Sequence, residues 1–420
     1  LARRNADTPS PQRQTLVIDA IGAEGDGLAR GADGGAVYVP YAAPGDVVVA
    51  DVTGERGAIV SIAKEGPDRT APLCRHFGQC GGCALQHVTR SFEGEWKRAR
   101  VAAALAREGV AADVAATTAI AHASRRRATF AFRREEGAFG FHARKSSRVV
   151  AIEECPVLDP AFAGRVAALG ALAAALPGRA FDLAVTLCDN GLDVDAQGAG
   201  AIAGPALQRA AEAMRKAGAV RLSIDGAPAI TLEPPLIVMG GVAVRPPPGG
   251  FLQASAAGEA ALVARVSASL EGARRIVDLF CGAGAFALPL ARSASLSAFD
   301  SDHAAIAALK AAAADAQRAG LAIHPLRAEA RDLFERPLSA KELKSFDAAV
   351  IDPPRAGAKA QAEMLAQSAI RRVAYASCNP ASFARDAAIL VRGGLKLVSV
   401  EPVDQFAFSP HVELFAAFSR

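Results

Sequence analysis

Three side chains able to do covalent or acid–base chemistry stand at strand ends in the last third of the chain. Cys378 follows the apolar run Val373-Ala374-Tyr375-Ala376-Ser377 and precedes Asn379-Pro380, so a thiol sits where a strand turns out of its sheet. Asp352 closes a second apolar run in FDAAVIDPPRAG, and Glu413 follows His411 just ahead of a final apolar strand. A lone cysteine is more often a small buried hydrophobe than a nucleophile. Its position here favours reaction: in open α/β sheets, ligands bind outside the carboxyl ends of the strands.

Those strand ends need a sheet to carry them. RRIVDLFCGAGAFALPLA, residues 274–291, reads as a strand, a glycine-rich turn and a helix start, with Asp278, Gly282 and Gly284 in the pattern D-x-x-x-G-x-G. Such a turn lets a cofactor approach the backbone closely. The dinucleotide fingerprint G-x-G-x-x-G is not completed, because position 287 is alanine. Asp300 ends the next strand, where an acid can hold a ribose hydroxyl pair. These features suit S-adenosylmethionine (SAM) better than NAD, though they fit both.

Asp352-Pro353-Pro354-Arg355 is related to the Asp/Asn-Pro-Pro-aromatic turn of nucleic-acid amino-methyltransferases, with arginine in place of the aromatic. That replacement and the second rim motif around Cys378 point to methylation of carbon. Carbon 5 of uracil is too weak a nucleophile to attack a sulfonium methyl. A thiolate adding at carbon 6 gives carbon 5 carbanion character, and a base must later remove the carbon 5 proton so that the thiol can leave. Cys378 and Glu413 are the residues placed for these two tasks.

The 420 residues allow two or three domains, and no apolar run is long and uninterrupted enough to span a membrane. The first residues lack a secretory core, and seven cysteines is an odd number for a disulfide framework, so a cytoplasmic chain with free thiols or metal ligands is expected. The net charge of +4 is uneven: residues 1–150 carry an excess of five positive charges and the rest an excess of one negative. A basic first third suits a nucleic-acid backbone, and solubility accounts for it equally well.

Residues 1–14 are polar and expected to form a disordered tail. Short strands broken by glycine over 15–70 predict a small β-barrel resembling the TRAM domain of RNA-modifying enzymes. Cys74, Cys80 and Cys83 then form C-x5-C-x2-C, and Cys155 before Pro156 is the best fourth ligand; spacing alone leaves zinc and iron–sulfur open. A helix over 91–110 is expected to pack on the catalytic domain. Arg125, Arg126, Arg127, Arg133, Arg144 and Lys145, interleaved with Phe141 and other phenylalanines, combine cations with stacking rings as single-stranded nucleic-acid sites do. Alternation also permits a buried aromatic face backed by a solvated basic one. The central region is read as 71–246 and the catalytic domain as 247–420.

Taken together, the barrel, CRHFGQCGGC with CPVL, FLQAS, DLFCGAG, DPPRAG, SCNPASFARD and HVE closely resemble the RNA 5-methyluridine methyltransferases of the RumA/RlmD type. The resemblance implies a Rossmann-like class I SAM methyltransferase domain behind a small barrel and a central α+β iron–sulfur domain. It implies a 4Fe-4S cluster on Cys74, Cys80, Cys83 and Cys155, Cys378 as nucleophile, and Glu413 as base. For SAM it implies Gln253, Phe280, Asp300, Glu329 and Asp352, beside Gly282 and Gly284. It further implies action on RNA, with 23S rRNA favoured because relatives acting on tRNA typically lack barrel and cluster; a monomer is expected. The alternatives are the same chemistry on tRNA, a 5-methylcytosine enzyme, or a catalytically silent RNA-binding relative. Two positions depart from the family: Ala285 where asparagine is common, and Asp300 where glutamate is common.

Overall fold

Between Val47 and Thr53 buried and half-exposed residues alternate strictly, the mark of a strand with one face on a core. In the computed structural model, which describes residues 10–420, this strand belongs to a closed barrel with Gln12–Ile21, Gly27–Arg30, Ala36–Val39 and Arg56–Lys64. Leu16, Ile18, Val37, Val39, Val48 and Ala50 fill its interior. Asp46 sits buried at the end of the barrel, where it accepts the N–H groups of Ala43 and Gly66 and pairs with Arg69 at 2.9 Å. The first strand starts at Gln12, inside the stretch read as a tail; residues 1–9 of that stretch lie outside the described residues.

The barrel belongs to one of two compact units, which comprises residues up to Trp96 with the short segments 143–146 and 408–410. The cysteine loop of this unit is built from turns. Phe77 lies edge-on to Tyr41 at 4.9 Å and stacks on His87, and Gly82 N–H donates to Cys80 Sγ at 3.4 Å.

The other unit holds two sheets. One has seven strands, ordered Ala227–Thr231, Ala219–Ile224, Gly191–Gln197, Ala180–Cys188, Arg127–Arg133, Ala138–His142 and Val149–Ala151. Phe130, Leu183, Val194 and Leu222 turn one face onto the helices Val166–Ala175 and Pro205–Ala217, burying Leu169, Leu172 and Met214 between the layers. Thr129, Thr186, Asp193 and Asp195 face the opposite way, toward a cavity.

The larger sheet runs Leu326–Ala330, Ser295–Asp300, Arg275–Leu279, Ala348–Ile351, Arg372–Ser377, Glu413–Ser419, Lys396–Asp404 and Thr118–Ala119. The first five strands are parallel and the sixth is antiparallel. Val277, Leu279, Ile351 and Tyr375 are completely or almost completely buried beneath flanking helices, together with Val101 and Leu105 from the segment ahead of Glu108. Strand order reverses between Arg275–Leu279 and Ala348–Ile351, and loops on either side of such a reversal diverge to leave a crevice.

Candidate active site

Each chemical side chain occupies the same rim of this sheet. The turn after Leu279 puts Phe280 at φ +64°, Gly282 at +52° and Gly284 at +103°. A side chain at Gly284 would stand 2.6 Å from Leu309 Cδ1, so glycine there serves both the backbone angle and the close helix approach. Asp300 holds the turn: Oδ2 accepts Gly282 N–H and Oδ1 accepts Asp302 N–H, both at 2.8 Å. Below it Asp278 is fully buried, and burial followed by the Asp352 and Asp300 charges holds its carboxyl well above the usual range.

The two later rim motifs are tied to each other. Asn379 caps the helix Pro380–Arg392 by accepting Ala381 N–H, while its Nδ2 donates to Arg355 O at 2.8 Å. Ser382 Oγ donates to the same carbonyl at 3.0 Å. Asp386, buried behind them, accepts Ala358 N–H and the Tyr375 hydroxyl. The Asp352–Arg355 turn and the Cys378 turn are therefore one rigid piece, as a site needing a fixed thiol requires.

Glu413 opens the antiparallel strand that pairs Leu414 with Ser377, which sets it opposite Cys378. It is 3% exposed, with Oε2 accepting from Gln405 at 3.0 Å and Oε1 buried without a partner. Burial, then the nearby Asp352, push its carboxyl up, and the Gln405 bond pulls the other way. Asp352 is likewise raised, by burial and then Asp300, and accepts from Gln253 Nε2 at 3.1 Å. The Cys378 thiol is pushed up to about 11 by burial, Glu413 and Asp352, with Arg355 opposing.

Two cavities meet at this rim. One, of about 550 Å³, is lined by Phe280, Gly282, Asp300, Phe334, Gln253 and Asp352. The other, of about 340 Å³, opens between Arg125, Arg127, Thr186, Phe251, Arg355 and His411. Cys378, Glu413 and Gln253 line both. A thiol and a carboxyl shared between two chambers can act on a group entering from one side while a donor is held on the other.

Not every residue singled out from the sequence reaches the site. Glu329 is exposed on the outermost strand, paired with Phe299, and does not line the cofactor-sized cavity. Arg126, read as a phosphate contact, is 6% exposed; it bonds Glu259 at 2.5 Å and donates to Gln253 O, so it holds the cavity wall together. Phe141, read as a stacking platform, lies parallel to Phe130 at 4.9 Å and packs on the core of the seven-stranded sheet. Arg144 is committed to Asp26 at 2.6 Å, beside the Tyr41 ring. Arg125 and Arg127 line the smaller cavity, Arg127 resting on Phe251 at 5.1 Å. Arg133 is half-buried and donates to Phe132 O, and Lys145 is exposed at φ +53°. Among the described residues, no three or more His, Cys, Asp or Glu side chains gather as a metal ion requires. Gln405, which no motif marked, bridges Gln253 and Glu413.

The strand order, the glycine turn and the crevice at the reversal define a class I methyltransferase-type α/β domain. Residues 242–419 match the model of the tRNA (uracil-5-)-methyltransferase family. An uncharacterised RNA methyltransferase of Caulobacter vibrioides is 44% identical over 97% of this chain and all of its own length. The 23S rRNA (uracil(1939)-C(5))-methyltransferase RlmD of Chromohalobacter salexigens is 31% identical, over 96% of this chain and 89% of that protein. The Pyrococcus abyssi tRNA (uracil-54, C5)-methyltransferase, solved with S-adenosyl-L-homocysteine, shares the fold with a TM-score of 0.75 over 96% of this chain and 99% of its own, at 22% identity. The chain belongs to the family of RNA uracil-5 methyltransferases.

Proposed function

We propose that this enzyme methylates carbon 5 of one uridine in RNA through a covalent Cys378 adduct. The observation that carries the reading is the sharing of Cys378 and Glu413 by the two cavities. SAM would be held by Asp300, Phe280, Gln253, Asp352 and the Gly282–Gly284 turn, and it supplies the methyl group.

The chain's own residues do the rest. Arg125 and Arg127 present cations at the mouth of the smaller cavity for the phosphates flanking a uridine that has left its stack. Cys378 Sγ, once deprotonated, bonds to carbon 6 of the ring, and the displaced π electrons make carbon 5 nucleophilic. When carbon 5 has been methylated, Glu413 takes its proton; those electrons reform the ring double bond and expel Cys378 as thiolate. Glu413 Oε1, buried and without a partner, is the oxygen available for that proton.

The RNA is proposed to be ribosomal, on the strength of the 31% identity to the RlmD enzyme along nearly the whole chain. The barrel adds nothing to that choice, contrary to the sequence reading. The Pyrococcus tRNA enzyme matches this fold over 96% of the chain, which takes in most of the barrel. Transfer RNA is thus the second reading. Nucleoside and fragment mass spectrometry on unmodified 23S rRNA and tRNA transcripts, incubated with enzyme and SAM, separates them. 5-Methyluridine in one rRNA fragment supports the first, in tRNA the second, and in neither overturns both.

A 4Fe-4S cluster on Cys74, Cys80, Cys83 and Cys155 rests on the sequence pattern alone. No catalytic step uses it. Iron and acid-labile sulfide measured in anaerobically purified protein decide whether those thiols close around a cluster.

A further inference from the structure

Gln405 lies one residue beyond the strand Lys396–Asp404 and is 4% exposed. Its Nε2 donates to Gln253 Oε1 at 2.8 Å and to Glu413 Oε2 at 3.0 Å, which uses both hydrogens of the amide. Gln253 in turn donates to Asp352 Oδ2. Two amides therefore join the two carboxyl groups of the site in one chain. The nitrogen of Gln405 faces Glu413. That leaves the Gln253 oxygen as its second partner and turns the Gln253 nitrogen to Asp352.

The fold also makes room for this side chain. Gly258 lies in the first turn of the helix Ala256–Ser269 and has no positive φ, so its backbone does not call for glycine. A Cβ there would stand 2.7 Å from both Cβ and Oε1 of Gln405. Helices lose stability to glycine, and here the loss is offset by space for one particular side chain.

We propose that Gln405 is a positioning residue for the methylation reaction, holding Glu413 by Oε2 so that Oε1 faces the carbon 5 proton, and fixing the Gln253 amide toward Asp352. This rests on the function proposed above. The charged and titratable groups that share the two cavities with Glu413 include Cys378, Asp352, Asp300, Glu259, Arg355, His411, Arg125 and Arg127; the Lys97–Asp404 pair lies beside Gln405. Only the Gln405 bond offsets the effects of burial and Asp352 on that carboxyl. Without it, Glu413 holds its proton to higher pH and swings away from its set direction.

The test is single-turnover methylation across pH by wild type, Gln405→Met, which keeps size and loses the donors, and Gly258→Ala, which crowds Gln405 from outside the site. At neutral pH, Gln405→Met should be slower by roughly tenfold to a hundredfold, the kinetic equivalent of one charge-assisted hydrogen bond. Its acid limb should move to higher pH, RNA affinity should hold, and a uridine–protein adduct should accumulate. Gly258→Ala should shift the acid limb the same way. A Gln405→Met profile superimposable on wild type overturns the proposal. So does an equal loss at every pH with a lowered melting temperature, which marks a merely structural role. Failure of wild type to form any adduct with 5-fluorouridine RNA instead overturns the parent reading.

Discussion

Cys378 and Glu413 face each other from two antiparallel strands: Ser377 pairs with Leu414, and the next residue on each strand carries the thiol and the carboxyl. The arrangement opposes its own activation. Burial first, and then the neighbouring Glu413 and Asp352 charges, disfavour the thiolate, and Cys378 is pushed up to about 11. A protonated thiol is a weaker target for oxidation and alkylation than a thiolate.

Cys378 should therefore react sluggishly with iodoacetamide at neutral pH in the free enzyme, with half-maximal rate near pH 11. Glu413→Gln should move that midpoint down by removing a negative charge, and Arg355→Ala should move it up. Intact-mass measurement of alkylation against pH reads all three. Cys378→Ala should reduce methyl transfer to background while retaining SAM and RNA binding; residual turnover would assign the nucleophile elsewhere.

Glu413→Gln should leave a slowly resolving protein–RNA adduct, visible as a shifted band on a denaturing gel. It should also be the more stable protein at higher pH. The folded-state value of Glu413 is raised, so wild type binds that proton more tightly folded than unfolded. That stabilisation is complete below the ordinary carboxylate range and is lost as pH rises through the raised value. Glutamine does not titrate, so the variant's advantage should grow across that window by about 1.4 kcal/mol per pH unit. Urea unfolding at a series of pH values measures it.

Arg126 and Arg127 are neighbours with opposite expected phenotypes. Arg126→Ala strands Glu259 in the wall of the site and should cost about 3–5 kcal/mol of stability without changing the salt dependence of RNA binding. Arg127→Ala loses only a bond to Leu252 O and the Phe251 contact, so it should cost less stability, about 1–2 kcal/mol, weaken RNA binding, and reduce the salt slope by about one. Chemical unfolding and salt-titrated binding of the two variants give the comparison.

Gly284→Ala should cost about 1–3 kcal/mol and weaken SAM binding, because its φ of +103° suits only glycine and the new methyl meets Leu309. Isothermal titration with SAM, paired with a melting curve, separates the two effects.

The rim chemistry could be read from the chain because strand, turn and helix signals at Cys378, Asp352 and Gly282–Gly284 are local. Each strand's apolar run and its punctuating Gly, Pro or Asn lie within a dozen residues. The arginine stretch could not be read so finely. Alternation says that one face of 125–133 is buried and one is not, yet Arg126 goes inward because Glu259, more than a hundred residues away, supplies its partner. Phe141 was misjudged for the converse reason: stacking rings on a strand suit a base or another phenylalanine, and Phe130 is what lies opposite.

Residue types along the chain were thus enough to name the class of chemistry, since a strand-end thiol, a Pro-Pro turn and a glycine-rich turn each carry their own physical constraint. Which oxygen of Glu413 is left without a partner, and that Gln405 bonds the other, is decided only where strands distant in sequence pair. Register and side-chain direction are set by the packing of the whole sheet, and a hydrogen bond between residues 253 and 405 has no local signature.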